Sequence, residues 1–209
     1  MKVLLINSSA KPDGCTFTAL GEVAKALNAE GIETEIVQLG AAPVADCVAC
    51  YVCRKNSTGK CVFDGDIVNI LIEKAKEADG FVFGSPVYYA HPTGRILSVM
   101  NRVFFAGGHA LRYKPAAAVV SARRAGTTAA LDVINKHFTI NNMPVVPSCY
   151  WNMVHGSSPE DVYKDEEGVQ IMRTLGKNMA WMLKCIEAGK NADINPPEAE
   201  EKIWTNFIR

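Results

Sequence analysis

Four of the seven cysteines crowd into one stretch: Cys47, Cys50 and Cys53, then Cys61 after seven further residues, a CxxCxxCx7C arrangement. Thiolates are soft ligands for iron and zinc. Three thiols at a spacing of three, with a fourth set slightly apart, suit a cubane held by four thiolates. Zinc sites are commonly built from two separated CxxC pairs, so one compact run of three favours iron and sulfide, with zinc or free thiols as the alternatives. Cys149 and Cys185 are isolated, one in an expected strand and one on an expected helix, and read as small buried apolar residues.

A second group of residues carries anion chemistry. The segment Asn7-Ser8-Ser9-Ala10-Lys11-Pro12-Asp13-Gly14-Cys15-Thr16-Phe17 has neither GxGxxG nor GxxxxGK[ST] spacing, so neither a pyrophosphate nor a nucleoside triphosphate is its natural ligand. Hydroxyls at Ser9 and Thr16, the cation of Lys11 and free N–H groups at a helix start would hold a single terminal phosphate. A turn followed by an ordinary N-cap is the competing reading. Cys15 lacks the downstream arginine of a CxxxxxR[ST] phosphatase loop. Further on, Gly84-Ser85-Pro86-Val87-Tyr88-Tyr89 offers a rigid strand exit with backbone amides and aromatic faces for a flat ring system. Simple packing of the two tyrosines is the alternative there. His91 and His109 have no carboxylate or histidine at ligand spacing and receive no role. His155 reads as a structural hydrogen-bonding residue.

These segments need a scaffold that brings them together. Strand-forming runs at 2–7, 33–39, 81–83, 116–120 and 144–147 alternate with helical patterns at 16–30, from Asp66, at 93–105, from Thr127 and at 166–188. Five βα repeats predict one doubly wound α/β domain with a parallel sheet. Ligands of such sheets sit beyond the carboxyl ends of the strands, so the loops after strands one, three and four form the expected site. Residues 40–64, with Pro43, the four cysteines and Asn56-Ser57-Thr58-Gly59, form a long functional loop. In the tail, Ile203, Trp204, Phe207 and Ile208 share a helical face and are expected to pack on the domain or on a partner subunit.

Composition narrows the function. The chain has 209 residues with 22 basic and 22 acidic side chains, so no long-range charge draws it to nucleic acid or to anionic membrane. No apolar run is long enough to span a bilayer, and the N-terminus has no secretory h-region. The expectation is a cytoplasmic protein whose thiols stay reduced and serve a metal or redox role.

The segments Asn7 to Leu20, Gly84 to Thr93 and Ser121 to Thr127 resemble the three flavin loops of the flavodoxin-like NAD(P)H-dependent FMN reductases. The resemblance implies a five-stranded parallel sheet in the order 2-1-3-4-5. It also implies that Ser9, Lys11, Cys15, Thr16 and Phe17 enclose the FMN phosphate, that Pro86, Val87, Tyr88 and Tyr89 line the isoalloxazine, and that Ser121, Arg124 and Gly126 lie near its pyrimidine side. Arg123 and Arg124 are candidates to offset the charge of reduced flavin or to contact the NADPH phosphate. Cys15 departs from the family pattern: a thiol is a weak donor, so the phosphate there rests on backbone N–H and on Thr16.

The cysteine spacing, Asp64-Gly65-Asp66 and Lys164-Asp165-Glu166-Glu167-Gly168 resemble the iron-sulfur flavoproteins within that group. This implies a [4Fe-4S] cluster on Cys47, Cys50, Cys53 and Cys61, and a homodimer or homotetramer in which the cluster lies near the FMN of a neighbouring subunit. The domain then spans 1–190 and the tail 191–209. The expected reaction passes electrons from NAD(P)H through FMN to a small quinone, nitro, azo or flavin acceptor. The alternative is an electron carrier fed by ferredoxin. A zinc-stabilised interaction module without redox activity would be colourless.

Overall fold

The computed structural model describes residues 1–205. The order of elements is β1 (Lys2–Asn7), α1 (Cys15–Ala29), β2 (Glu33–Gln38), α2 (Val52–Lys55), α3 (Ile67–Glu77), β3 (Gly80–Tyr88), β4 (His91–Pro92), α4 (Gly94–Gly107), β5 (Ala116–Ala122), α5 (Thr127–Ile140), β6 (Met153–His155), α6 (Pro159–Lys164) and α7 (Glu166–Asn191). Five parallel strands run β2-β1-β3-β5-β6, and the two-residue β4 adds an antiparallel return to the end of β3. Setting that return aside, the order is the expected one.

Both faces of the sheet are buried because every parallel connection is a helix. Leu4 and Ile6 of β1, Phe81 and Phe83 of β3 and Ala118 and Val120 of β5 face α3, α4 and α5. The alternate residues Val3, Leu5, Val82, Ala117 and Val119 face α1 and α7. On the first face Phe83 packs against Phe104 and Phe138, with ring centroids 5.9 and 5.4 Å apart. Gly31, at φ 77°, ends α1 and turns the chain into β2, a backbone conformation that a side chain disfavours.

Several expectations change. The third strand does not stop at Phe83; it continues to Tyr88, pairing Pro86 with Ser121 of β5. Proline is tolerated there because β1 pairs with β3 only as far as Gly84 and needs no N–H from Pro86. The fifth strand is also displaced. Val145 makes one isolated bridge to Ala116, and regular pairing with β5 comes only at Met153–His155. Pro144 and Pro147 lack the N–H groups that a ladder requires, so the chain leaves the sheet and returns six residues later.

Cys149 and Cys185 are exposed rather than buried. Cys149 lies in that excursion, and Cys185 falls between the inward-facing positions of α7. Residues 193–205 form no helix; Ile203 and Trp204 are exposed, while Phe207 and Ile208 lie outside the described residues. Tyr113 Oη donates to Pro197 O at 3.4 Å, which ties the start of this tail to the domain.

α1 and α7 approach closely on the second face. A Cβ built on Gly176 would lie 2.6 Å from Ala26 Cβ and 2.8 Å from Val23 O, and backbone cannot move aside as a side-chain tip can. Gly176→Ala gains up to about 1 kcal/mol in helix propensity, but overpacking of this kind costs about 1–3 kcal/mol. The expected outcome is a net loss of stability in urea denaturation, whereas Gly21→Ala on the open side of α1, where a Cβ meets nothing within 4 Å, gains stability.

Candidate functional site

The carboxyl ends of β1, β3 and β5 open into a cleft of about 510 Å³. That is within the range of small-molecule and cofactor sites, about 300–1,000 Å³. Its first wall is the β1–α1 loop, held by buried amides. Asn7 is fully buried; its Nδ2 donates to Gln38 Oε1 at 2.6 Å and its Oδ1 accepts from Ser9 N at 3.1 Å. Gln38 Nε2 returns a bond to Ser9 O at 2.7 Å. Ser9 Oγ then accepts from Lys11 N at 3.1 Å, so the loop curls back toward α1.

α1 begins at Cys15 behind Gly14, which supplies no side-chain cap, leaving the first-turn N–H groups of the helix without one. Uncapped N–H groups beside hydroxyls and a lysine are a ready anion site. Thr16 and Ser121 meet across the floor, Oγ1 to Oγ 2.8 Å.

The second wall is β3 and its return. Thr93 Oγ1 donates to Ser8 Oγ at 3.1 Å, and Thr93 N donates to Ser85 Oγ at 3.0 Å, which fastens this wall to the first. Tyr88 reaches over so that its Oη accepts from Ala10 N at 3.3 Å. The third wall, Gly156 to Glu160, closes over α1 through a contact from Cys15 Sγ to Gly156 O at 3.5 Å. Burial pushes the Cys15 thiol pKa up, so it stays uncharged at neutral pH next to the anion site.

Of the residues expected around a flavin, Ser9, Lys11, Cys15, Thr16, Pro86, Val87, Tyr88 and Ser121 line this one cleft. Phe17, Tyr89, Arg124 and Gly126 do not. Phe17 and Arg124 are exposed outside it, and Tyr89 projects fully into solvent at φ 61°. Gly126, at φ 90°, sits behind Val87, whose Cγ1 would lie 3.0 Å from any Cβ there. Arg123 lines the cleft where Arg124 does not, since successive residues leaving a strand point opposite ways. Sequence reasoning missed the wall from Ser157 to Glu160. A Ser-Ser-Pro-Glu run that opens a helix was its only signal.

The cysteine loop runs along α4 on the other side. Arg95 at the start of α4 donates to Ala41 O and Ala42 O, at 2.8 and 3.0 Å. Two turns on, Arg102 is 1% exposed and forms an ion pair with Asp66, Nη1 to Oδ2 2.5 Å. Burial alone would lower the pKa of this guanidinium; Asp66 and Cys61 outweigh it and raise it.

Cys47, Cys50, Cys53 and Cys61 all line a single cavity of about 20 Å³ under Phe63, Phe105 and Arg102. Among the described residues no three ligand side chains converge on one point as they would around a single ion. A cubane does not ask for that, because each thiolate holds a different iron. Four thiols facing one apolar-walled space is the donor set it needs, although the present room is that of about one water. The two sites share no lining residue. From Thr93 to Arg102 the rise of α4 alone is about 14 Å.

A doubly wound sheet with such a cleft at its switch point defines the flavodoxin-like class. An archaeal flavodoxin superposes with a TM-score of 0.60 at 15% identity, over 88% of this chain and 99% of that one. RosB, solved with 8-demethyl-8-formylriboflavin-5'-phosphate, superposes with a TM-score of 0.68 at 15% identity, over 100% of this chain and 92% of that one. The sequence is more specific. The model of the NADPH-dependent FMN reductase family matches residues 1–158, and the chain belongs to that family, as an NAD(P)H-dependent flavin oxidoreductase. An iron-sulfur flavoprotein of Methanocaldococcus jannaschii is 34% identical over 195 residues, 90% of this chain and 100% of that one. No helix among the described residues is long and apolar enough to cross a membrane.

Exposure orders the thiols by reactivity. Cys47, Cys50, Cys149 and Cys185 are exposed, while burial raises the pKa of Cys15 and Cys53. Iodoacetamide labelling of metal-free, reduced protein, read by peptide mapping, should modify the first four well before Cys15, and added FMN should slow Cys15 further. Fast labelling of Cys15 in the presence of FMN would contradict the placement of its thiol in the cleft.

Proposed function

We propose that the cleft binds FMN with its phosphate at the start of α1 and its ring against Val87 and Tyr88, and that the four cysteines hold a [4Fe-4S] cluster. The protein then passes electrons from NAD(P)H to a small quinone, nitro, azo or flavin acceptor. The observation that carries this reading is the confinement of all four thiols to one cavity in a chain that belongs to a flavin reductase family. The name of the Methanocaldococcus relative agrees with it.

Bound FMN supplies the exchange between hydride and single-electron chemistry, and a cluster supplies single-electron transfer. The chain does the rest. Ser9, Lys11, Thr16 and the N–H groups of the first turn of α1 hold the phosphate. Tyr88 and Val87 orient the ring and shield it from water. Arg123 offsets negative charge at the ring edge. Asp13 and Glu160 at the mouth keep the cleft from being uniformly basic, so a neutral acceptor is not penalised.

Seating a cluster requires the segment 47–53, exposed as far as Tyr51, to yield outward, while Cys61 is fixed by the domain. Asn69 Oδ1 accepts from Cys61 N at 2.8 Å and Asn69 Nδ2 donates to Cys61 O at 3.0 Å. Because α4 separates the two sites within one chain, we propose a homodimer or homotetramer in which the cluster of one subunit faces the FMN of another. A role as a ferredoxin-fed carrier is the second reading, favoured by the single-electron character of a cluster.

Protein purified without oxygen should carry about four irons and one FMN per chain. Cys61→Ser should lose the iron and keep the flavin; an iron content near zero in the unaltered protein refutes the cluster. Lys11→Ala should weaken FMN binding about tenfold, ~1.4 kcal/mol, measured by flavin fluorescence titration. Anaerobic mixing separates the two roles: rapid bleaching by NADPH supports the reductase, and bleaching only by reduced ferredoxin supports the carrier.

A further inference from the structure

Among the described residues Arg102 is the most completely buried large side chain that carries a charge. Its guanidinium has five N–H donors, and each has an acceptor. Nη1 donates to Asp66 Oδ2 at 2.5 Å and to Ala45 O at 3.2 Å. Nη2 donates to Asp66 Oδ1 at 3.2 Å and to Phe63 O at 3.0 Å. The remaining donor, Nε, goes to Cys61 Sγ at 3.2 Å. Four of the five bonds clamp the loop from Ala45 to Asp66 onto α4. The fifth is aimed at sulfur.

A neutral thiol is a weak acceptor, and spending a buried guanidinium donor on it gains little. A metal-bound thiolate is a charged acceptor, and the same bond to it is charge-assisted. Cys61 is also the cysteine of the four whose backbone the domain fixes on both sides, through Asn69. The contact between Arg102 and Cys61 therefore survives any outward movement of 47–53.

We infer that Arg102 is a positioning residue that sets the reduction potential of the cysteine site, by donating its Nε–H to the Cys61 sulfur while clamping the loop through Asp66. The inference rests on the reading of the four cysteines as cluster ligands. Reduction adds negative charge to a cluster and its thiolates, and a hydrogen bond from a cation to a ligand sulfur stabilises the reduced form. Arg102 thus raises the potential and makes the cluster an easier acceptor.

The test is a spectroelectrochemical titration of anaerobically purified full-length protein, with iron and FMN content measured on each sample. Arg102→Lys keeps a charge but loses the fork and the Nε donor; it should retain iron and shift the one-electron equilibrium toward the oxidised form about tenfold, ~59 mV. Arg102→Met should shift it further. Asp66→Asn keeps the N-cap of α3, since asparagine caps as well as aspartate, and leaves the Nε–Sγ bond in place. It should loosen the clamp, seen as faster proteolysis within 54–60, and because it removes a negative charge beside the site any change in potential is upward, opposite to that of Arg102→Lys.

Iron-loaded Arg102→Lys at the wild-type potential overturns the inference and leaves the cluster reading intact. So does a downward shift in Asp66→Asn as large as that in Arg102→Lys, because the effect would then come from the loop rather than from the bond to sulfur. Wild-type protein without iron overturns both.

Discussion

The carboxamide of Asn7 lies fully buried at the end of β1, where an unpartnered amide would cost more than a hydrogen bond contributes. Satisfying it draws in Gln38 from the neighbouring strand and Ser9 from the following loop. Ser8 is then presented to Thr93, which at once caps α4 and bonds Ser85. Two walls of the cleft are therefore consequences of one buried polar group, and the third is joined to them through Cys15 and Gly156. The cleft is preorganised in this way: its walls are fixed before any ligand arrives, and little conformational entropy would be left to lose on binding.

The cysteine loop obeys the same rule with a charge in place of an amide. A guanidinium as buried as Arg102 requires a carboxylate, and Asp66 serves both it and the first turn of α3. Cys61 is fixed by this arrangement while Cys47 and Cys50 remain exposed. One site is thus complete in the folded chain, and the other is a fixed corner with an open side.

Much of this was legible in the sequence. The strands β1, β2 and β5 and the helices α1, α3, α4, α5 and α7 follow from apolar period, from Asp66 as a cap and from Gly31 as a stop. That the loops after β1, β3 and β5 meet in one cleft was legible from their hydroxyls, aromatics and place after strands. The course of β3 beyond Phe83 was hidden because a proline usually ends a central strand, and only the register shows that β1 has already stopped pairing. The fifth strand was misplaced because Val145 and Val146 look more strand-like than Met153 and Val154, while the missing N–H groups of their flanking prolines decide the outcome. Residue type alone suggests burial for Cys149 and Cys185, but it does not say which side of an element each occupies. Which of Arg123 and Arg124 faces the cleft depends on the direction of one residue at a strand end, which pattern does not resolve. The contact between Arg102 and Cys61, 41 residues apart, has no local signature at all.

The close seam between α1 and α7 joins two segments far apart in sequence. Val23 and Leu27 of the helix that opens the anion site are covered by the side of α7 that carries Leu175 and Met179. A ribosome releases α1 more than a hundred residues before α7. During that interval the first helix has its apolar stripe uncovered, and the face of the sheet carrying Val3, Leu5 and Val82 lacks half its lid. The nascent chain is therefore vulnerable to aggregation or to a holding chaperone until α7 emerges, and the packing behind α1 is completed only then.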